Sequence, residues 1–165
     1  VAEALEMGRY AWGGPLRADP GAKAAVAEAA RAFGLEELLN ADCAALSQGQ
    51  RQLVHLARAM VQSAPVLLLD EPGSALDFSN THRLFRLLGE QLARGGRCAA
   101  AVLHDPALAL RYCSPVLLLK EGRIVERLEP RACTAPQMER ALGLLYPGIR
   151  VKEDKETGHL LCTIE

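Results

Sequence analysis

The fold is decided by the stretch Val66-Leu67-Leu68-Leu69-Asp70-Glu71-Pro72, an aliphatic run that ends in two carboxylates. The run is short for a helix and proline flanks it on both sides, so it predicts a strand. Uniformly aliphatic runs are typical of parallel strands that are covered on both faces. Parallel sheets bind ligands at the carboxyl ends of their strands, which is where Asp70 and Glu71 would lie. The pattern therefore predicts a site for a metal-bound phosphate.

A second stretch, Leu46-Ser47-Gln48-Gly49-Gln50-Arg51-Gln52, predicts a polar turn that leads into a helix over residues 50–62. Ser47 is suited to cap this helix, because its hydroxyl can accept a hydrogen bond from a first-turn amide. A helix start also carries free amide donors and partial positive charge, which attract phosphate oxygens. For a single Ser-x-Gly, however, a helix cap without a ligand is the more common explanation.

Composition sets the outer bounds. The chain has 165 residues, of which half are hydrophobic and about a quarter charged, and its net charge is −1. These values are ordinary for a globular protein and give no reason to expect nucleic acid or an anionic membrane as a partner. Five scattered cysteines without a Cys-x-x-Cys pair predict reduced thiols. No apolar run approaches the length of a membrane span, and no leader peptide is expected.

The remaining periodicity predicts alternating helices and strands. Helices are expected at 22–33, 81–92, 107–112 and 135–145, and strands at 98–103, 116–119, 124–128, 149–151 and 160–164. Strands 66–70, 98–103 and 116–119 should lie in one mostly parallel sheet, because right-handed crossovers make that the simplest arrangement. The second of these strands would bring His104 to the same sheet edge as Asp70.

Four segments resemble, in order, the motifs of the ATP-binding-cassette (ABC) ATPases. Residues 46–52 resemble the signature loop, 66–72 the Walker B strand, Ser74-Ala75-Leu76-Asp77 the D-loop, and His104 the switch histidine. The resemblance implies an α/β fold of the P-loop NTPase type, with a partial, mostly parallel sheet, a helical ABC subdomain and a small C-terminal β-hairpin. It implies a partial helical subdomain over 1–45, the signature-to-switch portion of the nucleotide-binding domain over 46–130, and a C-terminal helix and hairpin over 131–165.

The resemblance also implies roles for single residues. Asp70 would be the metal residue, since Mg²⁺ prefers carboxylate oxygens. Glu71 would be the catalytic carboxylate that acts as general base on water, and strand alternation would separate it from Asp70. His104 would sense the γ-phosphate and orient Glu71. Contacts with ATP would come from Ser47, Gln48, Gly49, Gln50 and Asp77.

Two residues depart from the family pattern. Gln48 stands where glycine is usual, which removes a permissive backbone from the signature loop. Gly73 stands where threonine is usual. The tract Gly8-Arg9-Tyr10 resembles the importers for iron-siderophore, haem and cobalamin.

The sequence contains no Gly-x-x-x-x-Gly-Lys-Ser/Thr, the Walker A loop that cradles phosphates. In the family, that loop precedes the point at which Val1 would align. The chain is therefore expected to correspond to the back portion of an importer ATPase, inactive by itself and active as a full-length ATPase with ATP and Mg²⁺. The implied partners are membrane permease subunits and a second ATPase protomer in a homodimer, without nucleic acid. The implied location is peripheral, on the cytoplasmic face of the cell membrane.

Two alternatives stay open. The chain could be a docking module that hydrolyses nothing and presents its signature loop to a partner's nucleotide. A relative that works on DNA or the ribosome is the more remote alternative, because the charge is balanced and the helical subdomain is short.

Overall fold

A computed structural model describes residues 1–10, 19–154, 156, 158 and 160–165. The predicted loop at Trp12-Gly13-Gly14-Pro15 lies outside these residues. The chain forms two compact units, Val1–Val102 and Leu103–Glu165. Among the described residues, no helix is both long enough and apolar enough to cross a membrane.

The first unit is mainly helical. Its elements are α1 (Ala2–Glu6), α2 (Ala22–Phe33), α3 (Gln48–Val61), β1 (Val66–Asp70), α4 (Phe78–Gly95) and β2 (Cys98–Val102), with 3-10 turns at Met7–Arg9, Glu36–Leu38 and Cys43–Ala45. α2 ends where sequence predicted, because Gly34 adopts the left-handed conformation that closes a helix. α4 begins three residues earlier than predicted, because Asp77 caps it.

The apolar stripes of these helices form one core. In α3, Leu56, Ala57, Met60 and Val61 are buried and Leu53 is packed at the margin. Phe33 of α2 and Leu84 of α4 are buried in the same cluster. Burial of such side chains contributes about 1.5–3 kcal/mol each.

β1 and β2 form the predicted parallel pair, with Asp70 opposite Val102 at the last position. Among the described residues, β1 is covered on one face only. Leu67 is buried against the helices, whereas Leu68 is 82% exposed. The helices α3 and α4 supply core contacts for the Leu67 side only. Such an aliphatic run is typical of a strand that is buried on both faces of its sheet, whereas one face of β1 is exposed here.

The described residues of the second unit form two hairpins and two helices. Its elements are α5 (Pro106–Tyr112), β3 (Val116–Lys120), β4 (Arg123–Leu128), α6 (Ala135–Leu142), β5 (Ile149–Glu153) and β6 (Leu160–Ile164). The predicted C-terminal hairpin is confirmed as β5–β6, and β3–β4 forms another antiparallel hairpin. Leu118, Met138 and Val151 lie in their shared core with α6.

The sheet arrangement differs from the prediction in one respect. In the described part of the chain, β3 hydrogen-bonds to β4 and not to β2, so the strands form three separate pairs. A tight turn at Glu121 and Gly122, both with positive φ, closes the β3–β4 hairpin. Short closures of this kind cost little entropy, which favours the local pairing. The predicted mixed α/β class is confirmed.

Candidate functional site

The carboxyl end of β1 carries the two predicted acids in different backbone conformations. β1 ends at Asp70, whose side chain is exposed. Glu71 is half-buried and has a φ of 44°, in the left-handed region that few residues other than glycine adopt. The expected alternation of Asp70 and Glu71 along one strand is therefore wrong, because the chain turns at Glu71.

Two backbone hydrogen bonds hold this turn. The Glu71 amide donates to the Val102 carbonyl at the end of β2 over 3.1 Å, and the Ser74 amide donates to the Glu71 carbonyl over 3.1 Å. Strained backbone persists where its surroundings determine it, and such positions concentrate at functional sites. Glu71 is thus fixed by the sheet on one side and by the following turn on the other.

The start of α3 confirms the predicted cap. The Ser47 hydroxyl oxygen accepts from the Gln50 amide at 3.2 Å, and the Ser47 amide donates to the Gln50 side-chain oxygen at 2.9 Å. This reciprocal pair is a capping box. Gln48 is the first helical residue, two positions earlier than predicted, and its side chain is exposed. A glycine backbone is therefore not needed at position 48.

Gly49, by contrast, occupies a position of close approach. A Cβ atom there would lie 3.0 Å from Cδ2 of Leu76 in the D-loop segment. One turn further along α3, the Gln52 side chain donates to the Pro72 carbonyl at 3.0 Å. The structure therefore joins the start of α3 to the segment that follows β1. Sequence reasoning missed Gln52, although its position three residues after Gly49 puts both on one helix face.

Asp77 caps α4. Its carboxylate accepts from the backbone amide of Asn80 at 2.9 Å and from the Asn80 side chain at 2.7 Å. These two hydrogen bonds, the backbone one first, hold the pKa of the Asp77 carboxyl below its ordinary value. The described contacts of Asp77 are those of a helix cap, and its contact with ATP stays a prediction.

His104 lies in the second unit, directly before α5. Its side chain is exposed, and its backbone carbonyl accepts from the Tyr146 hydroxyl at 3.1 Å. Asp105 caps α5 through the amides of Ala107 and Leu108. The placement of His104 beside Glu71 stays a prediction.

The donor set fits Mg²⁺ only together with phosphate. Among the described residues, no group of three or more histidine, cysteine or acidic side chains could hold a metal ion. Mg²⁺ is commonly held by one or two carboxylates plus substrate phosphates and water. Asp70 could supply one such carboxylate, at the strand end where parallel sheets bind ligands.

Comparison with known proteins identifies the family. The sequence profile described as ABC transporter matches residues 4–74. The hemin import ATP-binding protein HmuV of Streptomyces coelicolor is 46% identical over 124 residues, which cover 75% of this chain and 44% of the relative. The chain belongs to the ABC transporter ATPases.

Other members of the ABC family match over nearly the whole chain. The cobalamin import ATP-binding protein BtuD of Halobacterium salinarum is 36% identical over 163 residues, which cover 99% of this chain and 40% of the relative. A metal-chelate type ABC transporter solved in an inward-facing conformation superposes with a TM-score of 0.78 at 26% identity, over 99% of this chain and 66% of the other. The chain thus spans less than half the length of these two curated relatives.

Proposed function

We propose that the chain is part of the ATP-binding and ATP-hydrolysing subunit of an ABC importer for iron-siderophore, haem or cobalamin. The observation that carries the proposal is the junction between the start of α3 and the segment after β1. Gly49 lies close to Leu76, and the Gln52 side chain donates to the Pro72 carbonyl. These contacts connect the segments that resemble the signature, Walker B and D-loop motifs. The hemin and cobalamin importers among its relatives support the substrate class.

Glu71 is the general base in this proposal. Its backbone is held by Val102 and Ser74, which would keep the carboxylate in place while it accepts a proton from the attacking water. Mg²⁺, with Asp70 as its protein ligand, would neutralise charge that develops on the transferred phosphate. His104 would orient Glu71 and contact the γ-phosphate.

The signature residues would act on the nucleotide of a second protomer. The Ser47 oxygen already accepts from Gln50, so its hydroxyl proton remains available to donate to a phosphate oxygen. The exposed Gln48 side chain adds an amide donor beside it. Gly49 keeps the helix start close to the D-loop, and Asp77 holds that loop at the head of α4.

The implied assembly is a homodimer of ATPase protomers bound to membrane permease subunits on the cytoplasmic face of the membrane. The predicted domain limits near residues 45 and 130 belong to this proposal. The alternative to this proposal is a docking module that presents its signature loop to a partner's nucleotide and hydrolyses nothing.

The test is Glu71→Gln in a cassette that includes a Walker A segment. We expect ATP binding to persist and steady-state phosphate release to fall by at least ~100-fold, because the water loses its base. Glu90→Gln, at an exposed position of α4, serves as the matched control and should retain turnover. Equal turnover in wild type and Glu71→Gln would show that Glu71 is not the general base. Absence of turnover from both proteins would favour the docking module.

A further inference from the structure

Thr81 is a buried polar residue of α4, with 8% of its surface exposed. Its hydroxyl oxygen lies 2.9 Å from the Asp77 carbonyl, 3.3 Å from that of Gly73 and 3.4 Å from that of Leu76. The first contact is the usual bond of a helical threonine to the preceding turn. The other two reach the segment between β1 and α4, here named the 71–77 loop. One hydroxyl therefore touches this loop at two points beyond its own helix.

The methyl group of Thr81 fills the space beside Gly73. A Cβ atom at position 73 would lie 2.8 Å from Thr81 Cγ2, a separation that real Cβ atoms essentially never show. Phe85 Cε2, at 3.6 Å, closes the same space at ordinary contact distance. Gly73 is the residue that departs from the threonine usual in the family. The side chain missing at position 73 is thus replaced, in space, by the methyl of Thr81.

The loop is built from consecutive tight turns that begin at Glu71. The Ser74 amide donates to the Glu71 carbonyl, and the Leu76 amide donates to the Gly73 carbonyl, each over 3.1 Å. Thr81 also contacts this Gly73 carbonyl. A change at Thr81 can therefore reach Glu71 through the Gly73–Ser74 peptide and the hydrogen bond from the Ser74 amide to the Glu71 carbonyl.

We propose that Thr81 is a positioning residue for Glu71, and that Gly73 and Thr81 form a matched pair that fixes the 71–77 loop. The link to catalysis rests on the proposed hydrolytic role of Glu71, whereas the matched pair does not. The two parts are tested separately.

The matched pair is tested on the 165-residue chain without nucleotide. Gly73→Ala should lower the melting temperature by about 3 °C or more, because the new Cβ meets the Thr81 methyl. Gly73→Ala with Thr81→Ser should recover most of that loss, because serine lacks the methyl and keeps the hydroxyl. Gly89→Ala is the control, since nothing lies within 4 Å of a Cβ there. Failure of Thr81→Ser to rescue Gly73→Ala would overturn the pair.

Thr81→Val separates the hydroxyl from the methyl. Hydrogen exchange at the Ser74 and Leu76 amides should speed up by about tenfold, the effect of one lost hydrogen bond. Thr81→Ser should leave these two rates within about threefold of wild type. Unchanged protection in Thr81→Val would show that the hydroxyl does not hold the loop.

The catalytic part needs a cassette that includes a Walker A segment. There, Thr81→Val should lower kcat by about tenfold with KM unchanged, and Thr81→Ser should restore kcat. Wild-type kcat in Thr81→Val, despite faster exchange, would overturn the positioning role and leave the pair intact. Absence of turnover in the wild type itself would refute the proposed function and, with it, the positioning role. The melting temperatures would still decide the matched pair.

Discussion

Glu71 occupies a backbone conformation that favours glycine, with a φ of 44°. A side chain in this region costs about 1–2 kcal/mol relative to glycine. We therefore expect Glu71→Gly to be more stable than Glu71→Ala by about 1 kcal/mol in urea unfolding. At Glu90, within α4, the order should reverse, because alanine is the better helix former. The same order at both positions would contradict a strained conformation at Glu71.

The local sequence could predict the helix cap at Ser47 but could not predict the left-handed backbone at Glu71. The spacing of Ser47 and Gln50 is that of a capping box, which depends only on the first turn of one helix. Pro72 favours an extended conformation at the residue before it, yet Glu71 is left-handed. The hydrogen bond from Glu71 to Val102 comes from a strand 31 residues later, so tertiary contact overrides the local preference.

The short helix α1 and its 3-10 extension pack against α3 through Gly8. A Cβ atom at Gly8 would lie 2.5 Å from the Arg58 carbonyl oxygen and 3.3 Å from Val61 side-chain atoms. Since backbone cannot yield as a flexible side chain does, Gly8→Ala should destabilise the chain by about 1–3 kcal/mol. Urea unfolding measures this, with Gly89→Ala as the unhindered control. Equal stability of the two variants would mean that α1 does not pack tightly on α3.

The Gly8-Arg9-Tyr10 tract makes contacts that a local sequence pattern does not report. α1 is followed there by the 3-10 turn Met7–Arg9. The structure adds that Arg9 donates to the Val61 carbonyl at the end of α3 and pairs with Asp19. The contact with Val61 spans 52 residues of sequence, so no local period could reveal it.

Glu139 joins α6 to the β5–β6 hairpin. Its carboxylate accepts from the Val151 amide at 2.9 Å and from Arg150 at 3.0 Å. These bonds, the amide first, hold the pKa of Glu139 below its ordinary 4.5. A depressed pKa stabilises the fold above pH 4.5, and this contribution is lost as pH falls through the folded-state pKa.

Between pH 7 and about pH 3, the melting temperature of Glu139→Gln should therefore fall less than that of the wild type. Glu153→Gln, an exposed position on β5, is the control and should follow the wild-type curve. Parallel curves for Glu139→Gln and wild type would show that the carboxylate does not couple α6 to the hairpin.

We expect the 165 residues to hold only part of a nucleotide site. Most phosphate-binding energy in such ATPases comes from Walker A amides and lysine, which the 165 residues lack. We expect the isolated chain to show no ATPase activity and to bind Mg-ATP with a Kd in the millimolar range or weaker. Such a Kd corresponds to a binding free energy of about 4 kcal/mol. Calorimetric titration beside a phosphate-release assay measures both. Micromolar binding, or turnover that Glu71→Gln removes, would contradict this expectation.

Pairing between neighbouring strands was predictable from local sequence, whereas the exposure of each strand residue was not. Hairpin β5–β6 follows from two apolar runs around a charged turn, and β1–β2 follows from the crossover rule. The exposure of Leu68 depends on what packs against the strand, which periodicity does not report.

The exposure of this strand face affects the abundance in a cell of a protein that contains these residues. Val66, Leu68 and Val102 are 52%, 82% and 56% exposed on the β1–β2 pair. Apolar surface of this kind promotes association with other molecules and aggregation. Chaperones and proteases act continuously on chains that display it. The abundance of any protein that contains these residues should therefore depend on how quickly this strand face becomes covered during folding.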